Sequence, residues 1–316
     1  MARTILETQE LIKYFKVPGG YLHAVDGVSL KIDEGKTLGV VGESGCGKST
    51  LGRAILRLHE PNGGKVFFQG QDILRLNKRQ IRSIRREMQI IYQDPYSSLN
   101  PRMSVQELIS EPMLINGVCS SRREVYEKVA KLMDTVGLAQ RLTAAYPHEL
   151  DGGRRQRIGV ARALSLDPKF IVCDEPVSAL DVSIQAQILN LLLDLQKERG
   201  LTYMFITHDL SVVKHISKEI AVMYLGKCVE MAPPKELFAN PVHPYTRALL
   251  SAIPIPKIEM RHKKIELICG EVTSPVNPRP GCRFAPRCPL CCEECTRGDI
   301  PLREIAKGHL AACIKA

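Results

Sequence analysis

The chain has 316 residues, 44% of them hydrophobic, which is ample for a buried core and points to one large domain or one domain with an appendage. It has no Trp and only 5% aromatic residues, which argues against an aromatic-rich binder of single-stranded nucleic acid. The formal charge of +10 points to an anionic partner, and the absence of any apolar run of ~20 residues excludes a membrane-spanning helix.

The N-terminal "MARTILETQELIKYF" lacks the apolar core and small-residue cleavage site of an export signal. Eleven cysteines without such a signal argue against structural disulfides and for a metal or cluster. Val28, Leu30 and Ile32 alternate like a half-buried strand, and residues 37–41 form a short apolar strand. A Gly-rich loop follows, then helical spacing at Leu51, Ile55 and Leu58. Residues 65–73 read as a strand and residues 78–90 as a charged helix. Residues 94–102 are dense in turn formers, and helices over 104–141 are broken near Gly117 and Gly137. The apolar strand 169–176 ends in two carboxylates; an amphipathic helix spans 184–200, and a second apolar strand spans 202–209. A hairpin turns near Leu225-Gly226-Lys227. Strands alternating with helices predict an α/β core with a mainly parallel sheet. After Pro233-Pro234 the texture changes, and the proline-rich stretch 254–289 marks the last 60 or so residues as an appendage.

The stretch "GESGCGKS", Gly42-Glu43-Ser44-Gly45-Cys46-Gly47-Lys48-Ser49, fits G-x-x-x-x-G-K-S/T between a strand and a helix. Glycines let backbone N–H groups surround phosphate oxygens, the helix N-terminus adds positive potential, Lys48 reaches the β and γ phosphates, and the Ser49 hydroxyl holds Mg²⁺. Asp174, ending a buried strand, suits the same Mg²⁺ shell, and its neighbour Glu175 suits a base or water-positioning residue for phosphoryl transfer.

With these residues the chain resembles the ATP-binding-cassette ATPases. "IIYQDP" supplies Gln93, "LDGGRRQRIGVARAL" (150–164) is similar to the signature region, "SALD" (178–181) to the D-loop, and "ITHD" supplies His208, all in the family's order. The resemblance implies a RecA-like core with an antiparallel β subdomain and a helical subdomain over about 95–165, within an ATPase domain 1–235, followed by a C-terminal extension 236–316. It implies ATP bound by residues 42–49 and Thr50, and Mg²⁺ held by Ser49, Gln93 and Asp174. Glu175, Gln93 and His208 would be catalytic. Asp151, Gly152, Gly153, Arg154 and Asp181 would work at a dimer interface. An aromatic near the N-terminus would stack on adenine; family spacing favours Phe15 over Tyr14 or Tyr21. "IIYQDPYSSLNPRMSV", "YPHEL", "NPVHPYTRALLSAIP" and "SPVNPRPGCRFAPRCP" resemble the ATPase subunits of dipeptide, oligopeptide and nickel importers, closest to the F-type member of the pair. This implies a second ATPase subunit, two integral membrane permeases, an external binding protein and a place on the cytoplasmic face of the cell membrane. The alternatives are a nickel or other small-solute importer, or a soluble cassette acting on nucleic acid; no nucleic-acid partner is expected.

Two features stand apart. Where the family has L-S-G-G-Q, this chain has Leu150-Asp151-Gly152-Gly153-Arg154, which by the same resemblance would put a carboxylate near the partner's nucleotide, with Arg154 close enough to pair with it. And "GCRFAPRCPLCCEEC" (281–295) packs five cysteines into fifteen residues, with Cys313 beyond. Cys288/Cys291 and Cys292/Cys295 have the C-x₂-C spacing of zinc half-sites, cramped by adjacency, with His309 as a further candidate ligand. The transporter resemblance selects Cys282, Cys288, Cys295 and Cys313 for a 4Fe–4S cluster, a structural element within 281–313 remote from the phosphates.

Overall fold

Alternation at Val28, Leu30 and Ile32, all buried, belongs to the second of two long strands, β1 (Thr4–Val17) and β2 (Gly20–Asp33). The computed structural model describes residues 3–253, 270 and 273–316. Much of the proline-rich stretch 254–289 therefore lies outside the described residues. Fully buried β3 (Thr37–Val41) leads into α1 (Lys48–Ile55), then β4 (Gly63–Phe68) and β5 (Gln71–Asp72). The charged segment forms α2 (Lys78–Glu87), whose N-terminus is closed by a reciprocal pair of hydrogen bonds between Asn77 and Gln80. That helix ends earlier than the sequence pattern predicts: Met88–Ile91 is a strand, β6, with Met88 and Ile91 buried.

Helices α3 (Val105–Asn116) and α4 (Arg122–Thr135) start at the capping serines Ser104 and Ser121. Gly117 ends α3 with φ 60°, and Gly137, with φ 68°, follows the end of α4, as the breaks in periodicity predict. Helix α5 (Gly152–Leu164) precedes β7 (Phe170–Asp174), α6 (Val182–Arg199), β8 (Thr202–Ile206) and α7 (Leu210–Ile216). The hairpin β9 (Glu219–Tyr224) and β10 (Lys227–Ala232) turns at Leu225-Gly226. Helices α8 (Pro234–Ala239), α9 (Pro244–Ser251) and α10 (Glu294–Arg297) and strands β11 (Arg303–Ala306) and β12 (His309–Ala311) complete the chain.

The chain divides into two compact units. One is built chiefly of Asp33–Lys36 and Arg75–Met204. In it β6 runs parallel to β7, with Met88 opposite Phe170 and Ile91 opposite Cys173. Helices α3, α4 and α5 pack on one another, and Met113, Val129, Met133 and Ile158 on them are all 2% exposed or less. The other unit comprises Thr4–Ile32, Thr37–Leu74 and Phe205–Ala316. One of its sheets has the order β2-β1-β4-β5, with Leu6 opposite Phe68. In its second sheet β3 pairs in parallel with β9, and antiparallel pairing continues outward through β10, β12 and β11.

The appendage therefore does not hang from the core: β12 extends the sheet beside β10. The join is made by Glu230, 0% exposed on β10. Its carboxylate accepts from the Val242 and His243 amides at 2.8 and 2.9 Å and meets His309 Nε2 at 2.7 Å. A buried carboxylate requires such partners. Elsewhere in the unit, the Asn277 side chain accepts from the Tyr21 amide and donates to the Gly19 carbonyl, both at 2.9 Å. Leu22 pairs with Val276, and the His23 amide donates to the Pro275 carbonyl at 3.0 Å, so residues 275–277 run beside the start of β2.

Candidate active site

The phosphate loop belongs to the second unit, between β3 and α1. Gly42 and Gly47 adopt φ 153° and 102°. A Cβ at Gly42 would lie 2.2 Å from the Met223 carbonyl oxygen, and one at Gly47 would lie 1.9 Å from that of Ala24. These positions accept only glycine because neighbouring backbone occupies the space. Lys48 is 4% exposed and donates to the Gly42 and Glu43 carbonyls at 2.8 and 3.0 Å, so its ammonium is held inside the loop. The Cys46 carbonyl accepts from the Gly226 amide at 2.8 Å, tying the loop to the β9–β10 turn. Burial pushes the Cys46 thiol up, so it is an uncharged part of the loop. In the same unit, His208 is exposed between β8 and α7.

The acidic strand end belongs to the first unit. Asp174 closes β7 and is fully buried. Glu175 follows with φ 45°, a left-handed conformation that costs a non-glycine residue roughly 1–2 kcal/mol. Its carboxylate accepts from the Gln93 side-chain amide at 2.9 Å, and its carbonyl from the Ser178 hydroxyl at 3.1 Å. Two residues 82 apart in sequence are thus brought together. The loop after Gln93 is fastened to α5: Arg155 lies over the Tyr96 ring at 3.7 Å, and Arg162 donates to the Ser98 carbonyl at 2.6 Å. Sequence reasoning passed over both arginines, because a basic helix face ordinarily faces solvent.

In the signature region, Asp151 is the N-cap of α5 and accepts from the Arg154 amide at 2.8 Å. The Arg154 guanidinium also pairs with it at 3.4 Å. A Cβ on Gly152 would meet Leu180 at 3.1 Å, and one on Gly153 would meet Ile184 at 2.8 Å. The signature glycines therefore sit against the residues on either side of Asp181, itself the N-cap of α6.

Of the N-terminal aromatics, Tyr14 already stacks on His23 at 3.7 Å, and its hydroxyl donates to Asp26. Phe15 is half-buried, edge-on to His59 at 5.5 Å. Tyr21 is 53% exposed.

Cys282, Cys288, Cys295 and Cys313 line one small cavity of about 20 Å³ together with His243 and Phe284. Burial pushes the Cys282 thiol up to about 11. Cys292 stands outside that lining, with its sulfur 3.6 Å from that of Cys295. Among the described residues, no group of three or more His, Cys, Asp or Glu side chains is arranged to hold a single metal ion. His309, the further zinc candidate, faces Glu230 instead. The expectation that this segment lies away from the phosphate loop is also corrected. Arg287, adjacent to Cys288, donates to the Glu43 carboxylate at 3.1 Å, and the Glu43 amide donates to the Tyr245 hydroxyl at 2.9 Å. No sequence spacing signals either contact.

The model of the family described as "ABC transporter" matches residues 25–178, and that described as "Oligopeptide/dipeptide transporter, C-terminal region" matches residues 229–295. The oligopeptide transport ATP-binding protein OppF of Salmonella typhimurium is 52% identical over 304 residues, covering 96% of this chain and 91% of that protein. The oligopeptide transport ATP-binding protein AppF of Bacillus subtilis is 48% identical, covering 98% and 97%. Among solved structures, the dimeric post-hydrolysis state of the ATP-binding cassette MJ0796 bound to ADP and Pi superposes with a TM-score of 0.67 at 27% identity, over 72% of this chain and 98% of that one. CbiO1 from Clostridium perfringens, part of an ABC transporter complex, gives 0.67 at 28% identity, over 75% and 92%. Among the described residues, no helix is long and apolar enough to cross a membrane.

Proposed function

As this chain belongs to the ABC transporter family, we propose that it is the ATP-hydrolysing subunit that powers import of oligopeptides through a membrane transporter. The observation that carries this reading is similarity to oligopeptide transport ATP-binding proteins along almost the whole chain, including the C-terminal region specific to such transporters. It favours peptides over the nickel, small-solute and nucleic-acid alternatives. The chain works at the cytoplasmic face of the membrane with a second ATPase subunit and two permeases. An external binding protein supplies the peptide, which never touches this chain.

In this mechanism Lys48 exchanges its loop carbonyls for the β and γ phosphate oxygens of ATP, and loop amides hold the rest. Ser49, Asp174 and Gln93 would hold Mg²⁺, which supplies charge neutralisation at the phosphates. Gln93 fixes the Glu175 carboxylate, which orients a water and takes its proton. The water oxygen bonds to the γ phosphorus as the bond to the β–γ bridging oxygen breaks. His208 steadies the γ-phosphate. Phe15 is the adenine platform, supported by family spacing, whereas the Tyr14 ring is already stacked on His23. Residues 94–108, fastened to α5, pass the state of Gln93 to the permeases.

A 4Fe–4S cluster on Cys282, Cys288, Cys295 and Cys313 belongs to the same reading. The donor set fits in kind, four cysteines among the residues lining one cavity, and the group would supply folding energy to a segment poor in core residues. The cavity holds little more than one water, so loading requires the thiols to spread. Chemical analysis of anaerobically purified protein should find about four irons per chain; iron-free protein with unchanged stability sinks this part.

The central test is hydrolysis and uptake. Glu175→Gln should cut phosphate release at least ~100-fold while ATP binding persists. Cells lacking the chain should lose uptake of a labelled oligopeptide and recover it with the wild-type gene but not with the variant. Undiminished uptake without the chain would exclude the peptide reading.

A further inference from the structure

Glu43 is an acidic residue inside a loop built to receive anions, and both of its polar ends are taken by the C-terminal third of the chain. Its N–H is directed to the Tyr245 hydroxyl, on α9. Its carboxylate is paired with Arg287, on the short 3-10 turn Ala285–Arg287 that directly precedes Cys288. The Arg287 side chain is 8% exposed, against 27% for Glu43. The same guanidinium nitrogen donates to the Tyr224 hydroxyl at 3.2 Å, at the end of β9. Phe284, 1% exposed, packs against Tyr224 at 5.3 Å, Tyr245 at 5.4 Å and His243 at 5.8 Å. An aromatic cluster thus places Arg287, and Arg287 meets Glu43.

The electrostatics give this contact a role. A carboxylate beside a bound triphosphate repels it, and the repulsion is strong where water is scarce. A guanidinium paired with the carboxylate cancels the charge, and one this buried is screened little by salt. An exposed pair would contribute almost nothing.

We propose that the cysteine-rich segment acts on the phosphate loop, with Arg287 and Tyr245 as positioning residues that fix Glu43, neutralise it and so set the affinity for ATP. This rests on the reading that residues 42–49 bind ATP. The segment is then a working part of the nucleotide site.

The test uses the full chain and a fluorescent ATP analogue, with KM and kcat measured alongside and Tm as the control for folding. Arg287→Ala should weaken nucleotide binding and raise KM about five- to tenfold, with kcat changed less than about twofold. Adding Glu43→Gln to that variant should restore affinity, because the uncompensated carboxylate is the cause. Arg287→Lys should keep most of the affinity. Should Arg287→Ala not fold, Arg287→Gln with and without Glu43→Gln gives the same comparison. A lower Tm with unchanged affinity makes Arg287 a structural strut and overturns the proposal, as does failure of Glu43→Gln to rescue. A wild-type chain that binds no nucleotide overturns the ATP reading itself, and this inference with it.

Discussion

Gly47 and Gly45 show how differently two glycines of one loop are used. Both have positive φ, 102° and 77°, but a Cβ at Gly47 meets backbone at 1.9 Å while one at Gly45 meets nothing within 4 Å. Gly47→Ala should therefore abolish binding of the fluorescent ATP analogue, because the loop must move to relieve the clash. Gly45→Ala should cost about 1 kcal/mol of conformational strain and leave measurable binding. Equal losses would mean that φ alone, not crowding, governs the loop. At this scale the sequence was informative where chemistry imposes spacing. The loop glycines, Lys48, Asp174 and Glu175 announce themselves because the phosphate-binding reading asks for a G-x-x-x-x-G-K-S/T loop and for carboxylates at the end of a buried strand. Tyr245 and Arg287 do not, since they reach Glu43 across 202 and 244 residues, and no local pattern encodes such a meeting.

Strands and helices were legible where burial is periodic or continuous. β3, β7 and β8 are short apolar runs bounded by glycine or acid, and α6 ends at Gly200 with φ 65°. β6 was misread because four residues give too short a window to separate strand from helix. β11 and β12 were missed because neither is rich in branched residues; what holds β12 is Glu230 on a strand far upstream. His309→Leu should accordingly leave that buried carboxylate with only its two amide donors and destabilise the protein by about 3 kcal/mol, read as a lower Tm or denaturant midpoint. An unchanged midpoint would show that the amides suffice. The appendage's elements thus have their cause outside the appendage.

At the scale of the whole molecule, the proposed pairing with a second ATPase subunit makes Asp151 bear on how the two divide the labour. The carboxylate caps α5, a role a serine fills equally well, so capping alone does not account for the departure from L-S-G-G-Q. Its pairing with Arg154 is solvent-exposed, at 60% and 47% for the two side chains, and an exposed pair neutralises weakly. In the proposed pair the signature of one subunit would face the nucleotide of the other, so the partner's site should be the slower of two. Asp151→Ser should then raise turnover of the assembled complex about two- to tenfold. Glu175→Gln here should abolish more turnover than the equivalent change in the partner; equal losses would refute the asymmetry. The resemblance to a peptide-importer ATPase was readable along the whole chain because its motifs are many and ordered. How its C-terminal segment engages the phosphate loop was not, because that is a matter of packing.

The strip formed by Pro275, Val276 and Asn277 along β2 has a consequence for how the protein is made. The β1–β2 hairpin leaves the ribosome before the segment that meets Tyr21, Leu22 and His23, which is synthesised more than 250 residues later. Until then the start of β2, the outer strand of its sheet, lacks these partners, an invitation to pair with another nascent chain. A messenger cut short before codon 275 would yield a product with its nucleotide motifs written in full and its first sheet edge open. Such fragments should collect in inclusion bodies rather than stay in solution with the intact chain.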